Sequence, residues 1–376
     1  MSHISPTGTL AVVPHTVVIA PDSFKGSLSA RAVAEAIAEG WRSIRPDDEL
    51  VLVPQADGGE GTLDAIESVV PGAIRRSAGQ VTGPDGRPTP GEWLELPGGV
   101  AVVELAQASG LPLMHELDAL RATTRGLGEV IRHALDSGAT SLVIGLGGSA
   151  STDGGAGALA ALGLELTDEQ DDLLVDGGGA LRSLFAIDRS RLVPAPPGGV
   201  TMLTDVTAPL LGTTGAAAIF GPQKGASPSQ VAQLDAALSH FAALLGGDAA
   251  QPGAGAAGGT GFGFAAAWGA RLESGADYLA ELSGLDTVLA RADVLIAGEG
   301  SFDHQSLTGK VVGQLIALAG AHDVTVGVIA GQVSAETDAW TASLTELAGS
   351  VRAAMDDTAS WLREAGARAA KELVGA

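Results

Sequence analysis

The segment Ser141–Gly157, SLVIGLGGSASTDGGAG, joins a strand-like apolar run (Leu142–Ile144) to a helix-like run (Ala158–Leu162) through glycine and small hydroxyl residues. Strand, glycine loop and helix start together present backbone N–H groups and the positive end of a helix dipole to an anion. Residues without bulk also let a partner approach the backbone closely. Gly145, Gly147 and Ala150 fit G-x-G-x-x-G/A, with Glu165 and Asp168 near the distance of a ribose-binding acid, the pattern of a dinucleotide site. One such match in an alanine- and glycine-rich chain leaves two readings open, a nicotinamide cofactor or some other phosphate.

Outward from this loop the chain alternates strand and helix. Thr16–Ala20 reads as a buried strand, Ala30–Arg42 as a helix capped by Ser27 or Ser29, Leu50–Val53 as a second strand and Thr62–Val69 as a second helix. This βαβα opening predicts a parallel sheet. The pattern then changes. Val81–Val103 carries the turn signal PDGRP between alternating runs that read as antiparallel hairpins, and Ala122–Asp136 reads as a helix. Thr201–Leu211 is a strand running into a proline-marked turn, and Ser229–Leu245 is a helix. Gln251–Gly263 is a Gly/Ala run that is either a linker or a backbone-lined loop, ahead of a helix at Phe264–Arg271. The simple rhythm returns with a strand at Asp293–Ala297, a long loop Gly298–Gly309, a helix Lys310–Leu318, a strand Val324–Ile329 and a mostly helical Leu344–Val374. The expected architecture is α/β: a discontinuous parallel-sheet domain, 14–75 plus 290–376, interrupted by an inserted α/β domain, 76–289. Residues 1–13 are expected to be a loose extension. Sites in such folds lie at the C-terminal ends of parallel strands, here in the cleft between the domains.

The 376 residues are 45% hydrophobic but only 3% aromatic, so the cores must be packed with Ala, Val, Leu and Ile. The absence of Cys excludes disulfides, thiolate metal sites and cysteine nucleophiles. No run reaches the ~18 apolar residues of a membrane span and no signal segment is visible, so a cytoplasmic location is expected. A net charge of −23 opposes nucleic-acid binding. Against that acidity the lysines stand out. Lys25, Lys224, Lys310 and Lys371 are the full set, and three of them sit beside glycine in SFKGS, GPQKGAS and LTGKVV. These three look placed to meet an anion.

Carboxylates recur at the strand exits. Asp22 accompanies Lys25, Asp57 and Glu60 follow the second strand, Asp205 ends a strand in the middle region, and Glu299, Asp303 and Lys310 follow Asp293–Ala297. Singly, each Asp is equally a turn former or helix cap. As a set interleaved with lysine and glycine they suit magnesium-assisted phosphoryl transfer, in which lysines neutralise phosphate oxygens, the metal bridges them and a carboxylate takes the hydroxyl proton. LTGK is not a Walker A loop, because His304 and Val311 stand where Gly and Ser or Thr are required. The seven histidines do not cluster, which argues against zinc.

VVIAPDSFKGSLSA, PQADGGEGT, IGLGGSASTDGGAG, IFGPQKGA and IAGEGSFDHQSLTGK, in this order, resemble the bacterial glycerate kinase type 1 family, and VELAQASGL, TTRGLGE and PGAGAAGG add to the match. The resemblance runs from about Val17 to about Gly331. It implies a flavodoxin-like domain interrupted by a second α/β domain, and phosphorylation of D-glycerate by ATP with Mg²⁺, at the 2-hydroxyl more than the 3-hydroxyl. Carried over by position, it makes Lys25 the first choice for an anion contact and brings Asp57, Glu60, Gly147, Gly148, Ser149, Asp153, Asp205, Lys224, Glu299, Asp303 and Lys310 into the site. The mechanism expected on these residues is catalysis by Lys25, Asp57 and Lys310, substrate contacts that include Ser23, and a metal held by Asp205 and Asp303. Asp57 is the expected acceptor of the hydroxyl proton, and Arg125 of TTRG is an expected bidentate clamp for the glycerate carboxylate. Thr152, Ala208 and Ser301 depart from the family pattern, where Asn, Asn and Arg are frequent, and bear on selectivity. The competing expectations are an NAD(P)-dependent oxidoreductase using Gly145–Ala150 and a nucleotide-binding protein without catalysis.

Overall fold

The apolar run near the N-terminus does form a strand, and its alternation sets two cores. Val17 and Ile19 face one side, Val18 and Ala20 the other, and all four are fully buried. The computed structural model describes residues 13–307 and 311–374. Most of the expected extension 1–13, and Lys310, lie outside the described residues.

The chain opens with β1 (Thr16–Pro21), α1 (Ala30–Arg42), β2 (Glu49–Leu52) and α2 (Thr62–Val69). It continues through β3 (Ile74–Thr82), β4 (Pro88–Leu96), β5 (Val100–Glu104), α3 (Leu105–Ser109), α4 (Arg125–Asp136), β6 (Ser141–Gly145), α5 (Ala156–Ala161), β7 (Glu165–Thr167) and β8 (Ala186–Asp188). Next come β9 (Val200–Leu203), α6 (Ala216–Phe220), α7 (Pro228–Leu245), α8 (Ala256–Trp268), β10 (Arg271–Glu273), α9 (Gly275–Leu282) and α10 (Leu285–Leu289). The last stretch holds β11 (Val294–Phe302), α11 (Val311–Ala321), β12 (Thr325–Val333), β13 (Trp340–Ser343), α12 (Leu344–Ala348), α13 (Val351–Asp356) and α14 (Thr358–Leu373).

One sheet, in the order β13-β12-β11-β1-β2, is parallel throughout. Counted along its own strands this is 2-1-3-4-5, the flavodoxin-like order, with its reversal between β1 and β11. α1 and α14 cover one face, where Gly40 and Gly366 let the helix backbones touch, and α10 and α11 cover the other. A second sheet runs β10-β9-β6-β5-β4-β3. Its first four strands are parallel, and β3 and β4 form the antiparallel hairpin expected around PDGRP. Its two faces are packed by α4, α5, α7 and α8 on one side and by α2 and α9 on the other.

Two expectations needed correction. β11 does not stop at Ala297. It extends to Phe302 because β12 continues beside it, with Ser301 opposite Gln332 and Phe302 opposite Val333. The Gly/Ala run is neither linker nor open loop, since most of it is buried in α8. Its kink at Ala257–Gly259 has left-handed φ values, and a Cβ on Gly258 would stand 2.1 Å from the carbonyl oxygen of Ser151. The run is small so that it can pack against the Ser149–Gly155 loop.

Candidate active site

β1 delivers its chemistry at the strand reversal. The Asp22 N–H donates to the Gly298 carbonyl on β11 (2.8 Å), and the Ser23 N–H to Asp22 Oδ1 (2.6 Å). Phe24 and Leu28 then bond each other's backbone, so Lys25, Gly26 and Ser27 form the tip of a small turn and the Lys25 side chain projects outward. Gly26 takes φ +76° there, a value an L residue adopts only with strain.

Beyond β2 the chain enters Gln55–Gly61, tied to β1 by the Gln55 N–H to the Pro21 carbonyl (2.9 Å). Asp57 Oδ1 accepts from its own Gly59 N–H (2.9 Å), and Oδ2 lies 4.0 Å from Lys25 Nζ. The second sheet grips this loop from behind. Gly147 N–H donates to the Gly58 carbonyl (3.0 Å), and a Cβ on Gly147 would come within 2.3 Å of Gly59 Cα. A Cβ on Gly275, at the start of α9, would come within 2.3 Å of the Asp57 carbonyl group. Glu104, at the end of β5, accepts from the Gly61 and Leu63 N–H groups (3.2 and 3.1 Å), capping α2 from another strand.

Two cavities open here. One, of 440 Å³, is lined by Asp22, Ser23, Lys25, Asp57, Glu299 and Ser301, among others. Its neighbour, of 310 Å³, is lined by Ser23, Lys25, Glu60, Asp64 and Gln107. Ser23 and Lys25 belong to both. The Ser23 hydroxyl is buried and has no hydrogen-bond partner among the described residues. Burial, then the charge of Asp57, push the Asp22 carboxyl up to about 7, with Glu299 adding to the rise. Asp205 at the exit of β9 is pushed up to about 6, mainly by burial. Its bonds to Ser274 and to the Gly275 N–H (3.0 Å) oppose that rise, and the charge of Asp57 adds to it.

Ser23, Lys25, Asp57, Glu60 and Glu299 therefore come together as the sequence predicts. Others do not. Asp153 is fully buried, and its carboxylate accepts from Thr124 N–H and Oγ1 (2.9 and 2.8 Å) and from the Gly155 and Gly157 N–H groups (3.1 and 3.2 Å). Instead of facing a substrate, it pins its own loop to α4. Lys224 is 2% exposed and donates to Ser149 Oγ (2.8 Å) and to the Ser151 carbonyl. Burial draws its ammonium down to about 7, against the pull of Asp153. Ser149 is thus spent on Lys224, and the Gly147–Gly148 backbone on Gly58 and Leu111. The expected carboxylate clamp, Arg125, is paired in bidentate fashion with Asp176 (2.6 and 2.8 Å), beside a separate 360 Å³ cavity that shares no lining residue with the first two. Asp303 Oδ1 turns its own loop by accepting from the Gln305 and Ser306 N–H groups (2.8 and 3.2 Å), and neither Asp303 nor Asp205 lines the cavities.

The sequence placed Asp22 beside Lys25 in the set of strand-exit carboxylates but gave it no individual role. Glu104 and Asp176 carried no local signal, because their partners lie 41 to 51 residues away in the chain.

The sequence model of the Glycerate kinase family matches residues 17–374. The chain is 46% identical over 304 residues to the glycerate 2-kinase of Escherichia coli K12, covering 78% of this chain and 79% of that protein. It is 43% identical over 302 residues to the glycerate kinase of Haemophilus influenzae, covering 78% and 79%. A crystal structure from Salmonella typhimurium LT2, of a protein proposed to be glycerate kinase 2, superimposes with a TM-score of 0.80 at 37% identity, covering 96% of this chain and 98% of that one. Carboxylates and a lysine gathered at the reversal point of a flavodoxin-like sheet, with these matches along nearly the whole length, identify the chain as a member of the glycerate kinase family.

Proposed function

We propose that the protein transfers the terminal phosphoryl group of ATP to D-glycerate, giving 2-phosphoglycerate. The carrying observation is that Ser23 and Lys25 line two adjoining cavities at once, one of them rich in carboxylates, as a transfer between two substrates requires. The name of the E. coli relative, glycerate 2-kinase, supports the C2 hydroxyl as acceptor.

The cavity's donors suit Mg²⁺, a hard cation that takes one or two carboxylates and completes its shell with phosphate and water. Asp22 and Glu299 would hold it. The repulsion of Asp22 by Asp57 and Glu299 is the kind of charge crowding that a bound cation relieves. Asp205 is kept as an outer support through Ser274 and Gly275, and Asp303 as the turn that shapes the end of β11. When bound, the cation supplies neutralisation of charge on the terminal phosphates. Lys25 stabilises the oxygens of the transferring group. Asp57, with one oxygen fixed by Gly59, receives the acceptor's proton on the other. Lys310 keeps its expected phosphate role on the strength of the resemblance alone.

Closure of the two parts, 14–75 plus 290–376 against 76–289, would exclude water from the transfer. Because α2 packs on the second sheet, the dividing line is best drawn through Asp57–Gly61. A cytoplasmic location belongs to the same reading; among the described residues no helix is long and apolar enough to cross a membrane. A dinucleotide at Gly145–Ala150 is disfavoured, because the backbone of Gly58 and Gly59 occupies the space that a pyrophosphate needs.

The test is incubation with Mg-ATP and D-glycerate, following ADP release and assigning the phosphorylated carbon by ³¹P–¹H NMR. Coupling of phosphorus to the C2 proton is expected. No glycerate-dependent ADP release would refute the kinase assignment.

A further inference from the structure

Beside the carboxylate cavity runs a larger groove, of 630 Å³, between α9, α10 and α11. Its walls are apolar, formed by Ala276, Ala280, Leu285, Leu315 and Leu318, over the core face of the parallel sheet. Val311, the first residue of α11, lines both the groove and the carboxylate cavity, so the two adjoin at the helix start. Its polar groups are sparse. Gln55 and Gln314 sit on the walls, and Asp277, Glu281 and Asp286, the last bonded to His322, stand exposed at the edge.

Resting on the kinase reading above, we propose that this groove holds the nucleoside end of the phosphoryl donor, a purine nucleoside triphosphate. Four observations favour that occupant. Small-molecule sites are mostly apolar cavities of about 300–1,000 Å³ with a few polar groups that fix orientation, and the groove is of that class. The other apolar cavity beside Lys25, near Leu344 and Met355, has only 180 Å³ and is too small for a purine with its ribose. The charges set the direction: Asp277 and Glu281 accept hydrogen bonds from ribose hydroxyls or an exocyclic amine but repel phosphate, so the triphosphate must point the other way, past Val311 toward Lys25. Finally, Gln314 Nε2 lies 3.4 Å from Ser274 Oγ, and Ser274 engages Asp205, which feels the charge of Asp57. The groove wall is therefore joined by side chains to the reacting end.

Photolabelling tests this without needing turnover. With 8-azido-ATP and Mg²⁺, the wild-type protein should take label on peptides within 276–321, and excess ATP should suppress it. Ala280→Trp, which fills the groove, should abolish that label and raise the KM for ATP tenfold or more, with a much smaller change in the KM for D-glycerate. Label confined to the peptide containing Leu344 and Met355, or an unchanged KM for ATP in a folded Ala280→Trp protein, overturns the proposal. If the variant does not fold, the wild-type labelling pattern alone decides. Label in the groove without ADP release on D-glycerate would uphold the nucleoside site and defeat the glycerate reading; turnover with label elsewhere would do the reverse.

Discussion

Two glycine-rich loops leave parallel strands in the two sheets, and they end in opposite conditions. The loop after β6, Gly145–Gly157, has its glycines pressed against Gly59, Thr260 and other backbone, its aspartate fully bonded and its neighbouring lysine enclosed. The loops after β1 and β2 carry Asp22, Lys25 and Asp57 into a cavity. Glycine beside charge looks the same in both stretches of sequence. What separates them is where the other side of the contact comes from. In the first the charged groups are met by the chain itself; in the second they open into a cavity.

Substitution of the aspartates should separate them most sharply. Asp57→Asn should lower kcat by about 10²–10⁴ while leaving the thermal midpoint in place, as loss of a general base does. Asp153→Ala should instead cost about 3–5 kcal/mol of stability, because four donors lose their acceptor and the buried Lys224 loses the nearby negative charge. ADP-release kinetics and urea unfolding on the same two proteins check both, and a stable, inactive Asp153→Ala would erase the distinction.

Glu104, which supports the open side, adds a pH signature. Burial raises its carboxyl from 4.5 to about 7. The folded state then binds more protons than the unfolded one between these values. The Glu104 contribution is greatest below about pH 4.5 and falls by about 3 kcal/mol as pH rises through 7. Glu104→Gln should flatten that part of the urea-unfolding profile between pH 5 and 8, whatever its effect on the absolute level.

Gly147→Ala probes the contact between the loops themselves. Overpacking against Gly59 Cα should cost about 1–3 kcal/mol and lower kcat with it, since the same displacement moves Asp57. Equilibrium unfolding with parallel rate measurements reads both. Arg125→Met should do least: the partly exposed pair with Asp176 contributes at most about 1 kcal/mol, and the KM for D-glycerate should not move. A KM raised tenfold would mean that the pair opens to meet the substrate.

The parallel sheet was legible because β1 and the first half of β11, Val294–Ala297, are continuous apolar runs buried on both faces, and a sheet covered on both sides demands that pattern. The length of β11 was not, since pairing with β12 decides it. α8 was hidden by glycines that are poor helix formers and are present for close packing instead. In the site, Lys25, Asp57 and Glu299 were legible as charges at strand exits. The inward turn of Asp153 and Lys224 was not, because local sequence records a charge and not what faces it. The pairing of Arg125 was hidden for the same reason, with its partner Asp176 lying 51 residues on.

The parallel sheet also dictates an order of manufacture. Thr16 bonds Asp293 across β1 and β11, 277 residues later. At about 5–20 residues per second, a ribosome needs roughly 14 to 55 seconds to cover that distance. Throughout that interval β1 and β2 exist without the neighbour that will stand at the centre of their sheet, while every strand of the second sheet has already emerged. The later part of the sequence can therefore finish folding first, and the strand that leads into Asp22 and Lys25, although among the earliest made, must wait as an apolar ribbon in need of shelter until β11 arrives.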